Sequence, residues 1–149
     1  MVSERRLIVI DASVALNVIF PAEPFHAQAA GLFRTWLDEA VSLIAPPIFE
    51  SEADSGIRTY VYLGLITRDA GAAAQNGLDA LGVEIVQDAR ARRRAREIAA
   101  AFNQRRVYDA TYCALAELMG CEFWTADRAF HRAVRESLGY VRFVEEAGE

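Results

Sequence analysis

Four acidic residues lie beside strongly apolar segments, far apart along the chain: Asp11, Glu52, Asp109 and Asp127. Carboxylate oxygens without accompanying histidine or cysteine suit a hard divalent cation, Mg²⁺ or Mn²⁺, which keeps several of its waters. Such an ion activates a bound water and stabilises the oxygen that leaves a phosphodiester. If the four carboxylates meet in the folded chain, they predict a metal-dependent hydrolytic site.

The segments that must position these acids alternate between strand and helix patterns. Apolar runs predict strands at 7–11, 41–45, 83–86, 122–125 and 141–144. Helical spacing predicts helices at 13–20, 24–40, 46–63, 67–81, 88–104, 107–119 and 128–136, with Gly64 and Gly120 as stops. Strands separated by helices favour a parallel sheet covered on both faces. We therefore expect an α/β fold, a three-layer α/β/α sandwich with a central parallel sheet of four to five strands.

The places of the acids relative to the strands predict that they converge, because ligands of such folds lie beyond the carboxyl ends of the strands. Asp11 ends the first strand and Asp127 follows the fourth. Glu52 lies early in the helix after the second strand, and Asp109 opens the helix before the fourth. Two like charges about 4 Å apart repel by about 4 kcal/mol at an effective dielectric near 20. Protons or a cation must offset that repulsion, so we interpret Asp109 as a metal ligand.

A structural alternative exists for three of the acids. Asp11, Asp109 and Asp127 precede or open helices, where aspartate is a favoured N-cap and is stabilised by the helix dipole. Capping and metal binding are equally compatible with each of them taken singly. Asp88 is interpreted as a cap alone, because its strand and helix carry no further signal.

Glu52 separates the two interpretations better, because a residue within a helix has no capping role. On a helical wheel it falls between Ile48 and Leu63, whereas Glu50 lies on a polar face with Asp54. Glu52 is therefore predicted to turn inward, and Glu50 is the competing acid.

Composition restricts the class of protein. At 149 residues, 53% of them hydrophobic, the chain is expected to form a single domain, 1–149. No apolar run reaches the roughly 18 residues of a membrane span, and two cysteines make no disulfide framework, so a cytoplasmic location is expected. All sixteen basic residues are arginine, which excludes a Walker-A lysine and Schiff-base chemistry. The net charge of −5 means that any binding of nucleic acid needs a local basic patch.

Four segments together resemble the motif blocks of PIN domains, particularly VapC-type toxins: "VIDASVALN" (9–17), "APPIFESE" (45–52), "VYDATYCALAE" (107–117) and "FWTADRAF" (123–130). The resemblance implies a parallel sheet in α/β/α layers, Mg²⁺ or Mn²⁺, cleavage of RNA, inhibition by a cognate antitoxin and a homodimer. The acids of the family map to Asp11, Glu52, Asp109 and Asp127. Its supporting hydroxyls map to Ser13 and Thr125, where they would orient a ligand or a metal-bound water.

The chain departs from the family pattern at one place, where Ser55 stands instead of the asparagine that usually follows the glutamate by three residues. Two rival functions remain. A haloacid-dehalogenase-type phosphatase requires a second aspartate where Ser13 stands, and it requires a lysine. A degenerate PIN scaffold would bind RNA or a protein partner without cutting, although the complete set of four acids speaks against it.

The arginines and aromatics suggest where RNA would bind. Arg105 and Arg106 immediately precede Asp109 and are the better candidates for contacting phosphates. The run 89–97 is interpreted mainly as a solvated face, with a grip on the RNA backbone as the alternative. Phe102 and Tyr108 are interpreted as core aromatics, with stacking on bases as the alternative. Large apolar residues at Tyr60, Tyr62 and Leu63 predict a dimer or antitoxin surface.

Overall fold

Five short strands, all parallel, form one sheet in the order β3-β2-β1-β4-β5. The computed structural model describes residues 4–147, and residues 1–3 and 148–149 of the predicted 1–149 domain lie outside them. The strands are β1 (Leu7–Ile10), β2 (Ser42–Ala45), β3 (Glu84–Ile85), β4 (Glu122–Thr125) and β5 (Val141–Phe143). The predicted parallel α/β sheet is confirmed.

The order of the strands creates a crevice beside β1. The chain first builds outward from β1 through β2 to β3, and then returns to place β4 on the other side of β1. Ile10 pairs with Trp124, so Asp11 and Thr125, the residues that follow them, lie side by side at this edge of the sheet. Such a reversal is the place where open α/β sheets bind ligands.

Seven helices flank the sheet within the described residues. They are α1 (Ala12–Ile19), α2 (His26–Asp38), α3 (Ile48–Tyr62), α4 (Arg68–Asp79), α5 (Ala89–Ala101), α6 (Tyr108–Met119) and α7 (Arg128–Val134). Helix α1 packs against α2, α3 and α4, whereas α5 packs against α6. In the part of the chain from 4 to 147, no helix is both long and apolar enough to cross a membrane.

The core explains why the central strands read as nearly continuous apolar runs. Three consecutive residues of β1 (8–10), β2 (43–45) and β4 (123–125) are buried, because helices cover both faces of the sheet. Helix α3 approaches α1 closely at Gly56, where an added Cβ would lie 2.3 Å from the Leu16 Cδ1 atom. This close packing fixes the helix that carries Glu52.

Several ends differ from the predicted bounds for local reasons. Helix α2 begins two residues late, because the Asn17 side chain accepts a hydrogen bond from the Phe25 backbone N–H (2.9 Å) and holds that segment in a turn. Helix α5 stops at Ala101, because Asn103 adopts a left-handed backbone with φ of 51°. The predicted stops are confirmed, since Gly64 (φ 73°) and Gly120 (φ 65°) both take that conformation after their helices.

Candidate active site

Asp11 is both a helix cap and a buried carboxylate at the crevice beside β1. Its Oδ1 accepts a hydrogen bond from the Val14 backbone N–H (3.1 Å) and so caps α1. Only 4% of the residue is exposed. Burial, with a smaller contribution from the Glu52 charge, raises the pKa of Asp11 to about 6 although three hydrogen bonds oppose the shift. The folded chain therefore holds a carboxylate that a nearby cation would stabilise.

Two hydroxyl groups hold Asp11 in place. Ser13 Oγ donates to Asp11 Oδ1 (2.5 Å), and Thr125 Oγ1 donates to Asp11 Oδ2 (2.5 Å). The same two oxygens accept backbone N–H groups, Ser13 Oγ from Ala126 and Thr125 Oγ1 from Asp127, both at 3.0 Å. Their protons are thus engaged with Asp11 and not with a ligand, so Ser13 and Thr125 join the end of β1 to the end of β4.

Asp127 and Asp109 differ in what they do for their helices. Asp127 caps α7, because its Oδ1 accepts a hydrogen bond from the Phe130 backbone N–H (3.0 Å). Asp109 does not cap α6, since the N-cap is Val107 and Asp109 is already the second helical residue. The capping interpretation is therefore wrong for Asp109, whereas it holds for Asp11 and Asp127.

Asp109 is the carboxylate under the greatest electrostatic strain. Burial, followed by the charges of Asp11, Asp127 and Glu52, raises the pKa of Asp109 to about 7. Among the described residues, no hydrogen bond lowers it. Three carboxylates from other elements thus act on a half-buried acid that has no donor of its own.

Glu52 faces this group, as the helical wheel predicted, and Glu50 does not. Glu52 Oε1 accepts a hydrogen bond from the hydroxyl of Tyr112 (2.7 Å), a residue with no exposed surface. The Tyr112 ring stacks on Phe123, with centroids 5.5 Å apart. Glu50 is exposed and lines a separate surface cavity with Asp54. Tyr112 was not among the residues predicted from the sequence, although its place one turn after Asp109 on α6 was a signal that its hydroxyl points to the same site.

An open cavity of about 410 Å³ brings three of the four predicted acids together with the predicted arginines, whereas the buried Asp11 does not line it. Glu52, Asp109 and Asp127 line it with Gln104, Arg105, Arg106 and Tyr108. Tyr108 is 43% exposed and has the Arg106 guanidinium 6.0 Å from its ring centroid, so its interpretation as a core aromatic was wrong. Phe102 does pack against the core. Within this lining the arginines and Tyr108 are exposed, whereas the three acids are partly buried.

The donors fit Mg²⁺ or Mn²⁺ in chemical kind but do not form a closed cage. In residues 4–147, no group of three or more His, Cys, Asp or Glu side chains is arranged to hold a metal ion as it stands. Mg²⁺ is commonly bound through one or two carboxylates, with waters and substrate phosphates completing its shell. Asp109 best suits such open binding, because within residues 4–147 no hydrogen-bond donor competes for its carboxylate.

Comparison with known proteins agrees with this geometry. The family model described as "PIN domain" matches residues 8–136. The crystal structure of PAE2754 from Pyrobaculum aerophilum is similar with a TM-score of 0.67 and 19% identity, covering 96% of this chain and 94% of that chain. At that identity the likeness concerns the fold alone, and no curated protein matches the chain. Because the family model covers most of its length, the chain belongs to the PIN-domain family.

Proposed function

We propose that this protein is a Mg²⁺- or Mn²⁺-dependent ribonuclease that cleaves phosphodiester bonds of RNA. PIN domains are generally nucleases and typically use divalent metals. The observation that carries the proposal is the environment of Asp109, a half-buried carboxylate without a hydrogen-bond donor beside three further acids. A divalent cation relieves that repulsion, which is otherwise a cost to the folded chain.

Each residue of the site has a distinct part in this proposal. Asp11, Glu52, Asp109 and Asp127 are the catalytic and metal-binding acids. Ser13 and Thr125 support them by fixing Asp11, as their hydrogen bonds indicate. Arg105 and Arg106 contact phosphates at the rim of the cavity. The bound ion, when present, activates water and stabilises the leaving oxygen.

We expect the purified protein to cleave single-stranded RNA only when Mg²⁺ or Mn²⁺ is present. Gel electrophoresis of a labelled RNA, with each metal and with excess EDTA, measures this directly. Restoring activity by adding Mg²⁺ back after EDTA treatment controls for damage to the protein. Undiminished cleavage in excess EDTA would contradict the proposal.

A second candidate function is a scaffold that binds RNA or a protein without cutting it. The absence of a preformed three-ligand metal group within residues 4–147 favours this alternative. Titration calorimetry with MnCl₂ in the same preparation separates the two functions. Binding of Mn²⁺ together with cleavage excludes the scaffold, whereas neither binding nor cleavage favours it.

The finer assignment within the family is the toxin of a type II toxin–antitoxin pair. The resemblance of four segments to VapC-type blocks supports it and implies a cognate antitoxin and a homodimer. Action in the cytoplasm accords with the location expected from the composition. The segments span nearly the whole chain, which supports one functional domain over residues 1–149. Co-expression with the product of an adjacent short reading frame tests this role through relief of growth arrest.

An exposed apolar patch after α3 supports the homodimer. Tyr62 (76% exposed), Leu63 (61%) and Leu65 (64%) form it. Tyr60 does not belong to the patch, contrary to the sequence analysis, because its ring stacks on Phe20 and its hydroxyl donates to Glu23 (2.5 Å). Contiguous exposed apolar surface of this kind commonly marks an interface.

We expect light scattering to show a dimer that Leu63→Arg with Leu65→Arg converts to a monomer, because two buried charges oppose association. Leu37→Arg is the matched control, since Leu37 is 80% exposed and lies on α2. A wild-type monomer at tens of micromolar, or equal effects of both changes, would contradict the assignment of this patch.

A further inference from the structure

A second and larger cleft lies beside the acidic cavity. Its volume is about 680 Å³, against about 410 Å³ for the cavity that holds the acids. Helices α5 and α6 form its walls with the segments that follow β2 (46–47) and β3 (86–88). It therefore opens at the carboxyl edge of the sheet, the edge where α/β folds bind ligands.

The cleft and the acidic cavity share a border. The segment 104–109 places Gln104, Arg105, Arg106, Tyr108 and Asp109 on the acidic cavity. Val107 of this segment lines the cleft instead, as does Thr111, two residues beyond the end of the segment. An RNA chain bound at Asp109 thus needs only to pass Val107 to enter the cleft.

Two arginines of α5 give the cleft an uncompensated positive charge. Arg90 and Arg94 of the same helix are paired, with Asp88 and with Glu117 and Glu97 respectively. Arg92 and Arg96, one turn apart, both line the cleft and form no ion pair within residues 4–147. Asp88 also borders the cleft, but its carboxylate is bound by Arg90. In a chain of net charge −5, this pair is a local site for an anion.

The floor of the cleft is apolar and made of small side chains. Ala91, Ala95 and Leu115 line it and are each at least nine-tenths buried. An apolar floor beside two guanidinium groups matches a molecule with an apolar part and a phosphate. Sites for single-stranded nucleic acid combine a positive groove with side chains, usually aromatic, that contact the base faces. In this cleft the apolar floor takes that place, with no aromatic ring among the described residues that line it.

We propose that this cleft binds a nucleotide flanking the cleaved bond, with its phosphate on Arg92 and Arg96 and its base on the alanine floor. The inference rests on the proposed ribonuclease function and adds a substrate-binding site to it. Within the run 89–97, some arginines then form solvated ion pairs and others contact the substrate. The sequence alone did not distinguish these two groups. An acidic protein segment is the competing occupant, and RNA is favoured because the cleft continues from the acids.

The test measures binding of a labelled single-stranded RNA to Asp109→Asn protein by fluorescence anisotropy across a range of NaCl concentrations. We expect Arg92→Ala with Arg96→Ala to weaken binding by roughly tenfold or more, as loss of two charged hydrogen-bonding groups does. The slope of log Kd against log salt should fall by about 1.4, because each phosphate contact on a single strand contributes about 0.7. Arg93→Ala with Arg132→Ala is the matched control, since both residues are exposed and line neither cavity.

A second arm tests the place of the base. A set of RNAs is used in which each lacks one base near the cleavage position. The protein with Asp109→Asn alone should bind one of these RNAs less tightly than the complete RNA. The protein that also carries Arg92→Ala and Arg96→Ala should bind that RNA and the complete RNA equally tightly. In cleavage by protein that retains Asp109, the double change should raise KM and leave kcat nearly unchanged. The proposal for the cleft would be overturned if the control pair lost as much RNA affinity as Arg92→Ala with Arg96→Ala, or if the salt slope did not change. Cleavage of RNA by the wild type would still support the ribonuclease function in that case. Failure of the wild type to bind or cut RNA would instead overturn the proposed function, and the inference with it.

Discussion

Asp109→Asn is expected to lower the rate of RNA cleavage by about 10²- to 10⁴-fold, the range for losing a group that acts in the reaction. Asparagine keeps the shape of the side chain but removes the negative charge that a divalent cation requires. Mn²⁺ affinity, measured by calorimetry, should fall in parallel. Asp109 has no capping hydrogen bond to lose, so the loss of activity cannot be ascribed to fraying of α6.

The same change should stabilise the metal-free protein at high pH. The pKa of Asp109 is raised from 3.8 to about 7, so ionising it costs the folded state more than the unfolded state. That cost is small near pH 4 and complete above pH 7. In EDTA, denaturant unfolding should therefore show that Asp109→Asn raises the free energy of unfolding by on the order of 2 kcal/mol at pH 8 and by little near pH 4. The figure allows for partial screening of the half-buried site by solvent.

Asp38→Asn provides the control for charge alone, because Asp38 is exposed at the end of α2 and touches neither cavity. It should leave cleavage unchanged, and its effect on the free energy of unfolding should be small at both pH 4 and pH 8. An Asp109→Asn protein that cuts RNA at the wild-type rate would show that this residue has been assigned wrongly.

Glu52→Gln is expected to reduce cleavage by about 10²-fold or more, whereas Glu50→Gln should leave it within about twofold. A glutamine at position 52 retains an oxygen that can accept the hydrogen bond from Tyr112, so the fold around it should persist. The charge beside Asp109 is lost, and Mn²⁺ affinity should drop with it. Glu50 is a matched control because it lies two residues away on the exposed face of the same helix.

Circular dichroism should show that both glutamine variants keep the wild-type helix content. If Glu50→Gln abolished cleavage and Glu52→Gln spared it, the competing acid would be the functional one. Equal and small effects of both changes would remove α3 from the catalytic site.

Local patterns were enough to predict the architecture of this chain. Continuous apolar runs such as 7–10 and 42–45 indicate strands buried on both faces, and alternation with helices then requires parallel pairing. The stops at Gly64 and Gly120 follow from the freedom of glycine to take a positive φ. The convergence of Asp11, Asp109 and Asp127 was predictable for a related reason, since parallel strands end at one edge.

The finer chemistry depended on contacts between residues distant in sequence. The pairing of Ile10 with Trp124 decides that Thr125 reaches Asp11, across 114 positions of the chain. The same kind of contact joins Tyr112 to Glu52 and binds Arg94 to Glu117, whereas Arg92 has no ion pair within residues 4–147. Sequence alone determined which groups stand at the edge of the sheet, because strand and helix periodicity is local. Tertiary structure decided which of them meet, because a hydroxyl or guanidinium bonds to whichever partner the packing of separate elements brings within about 3 Å.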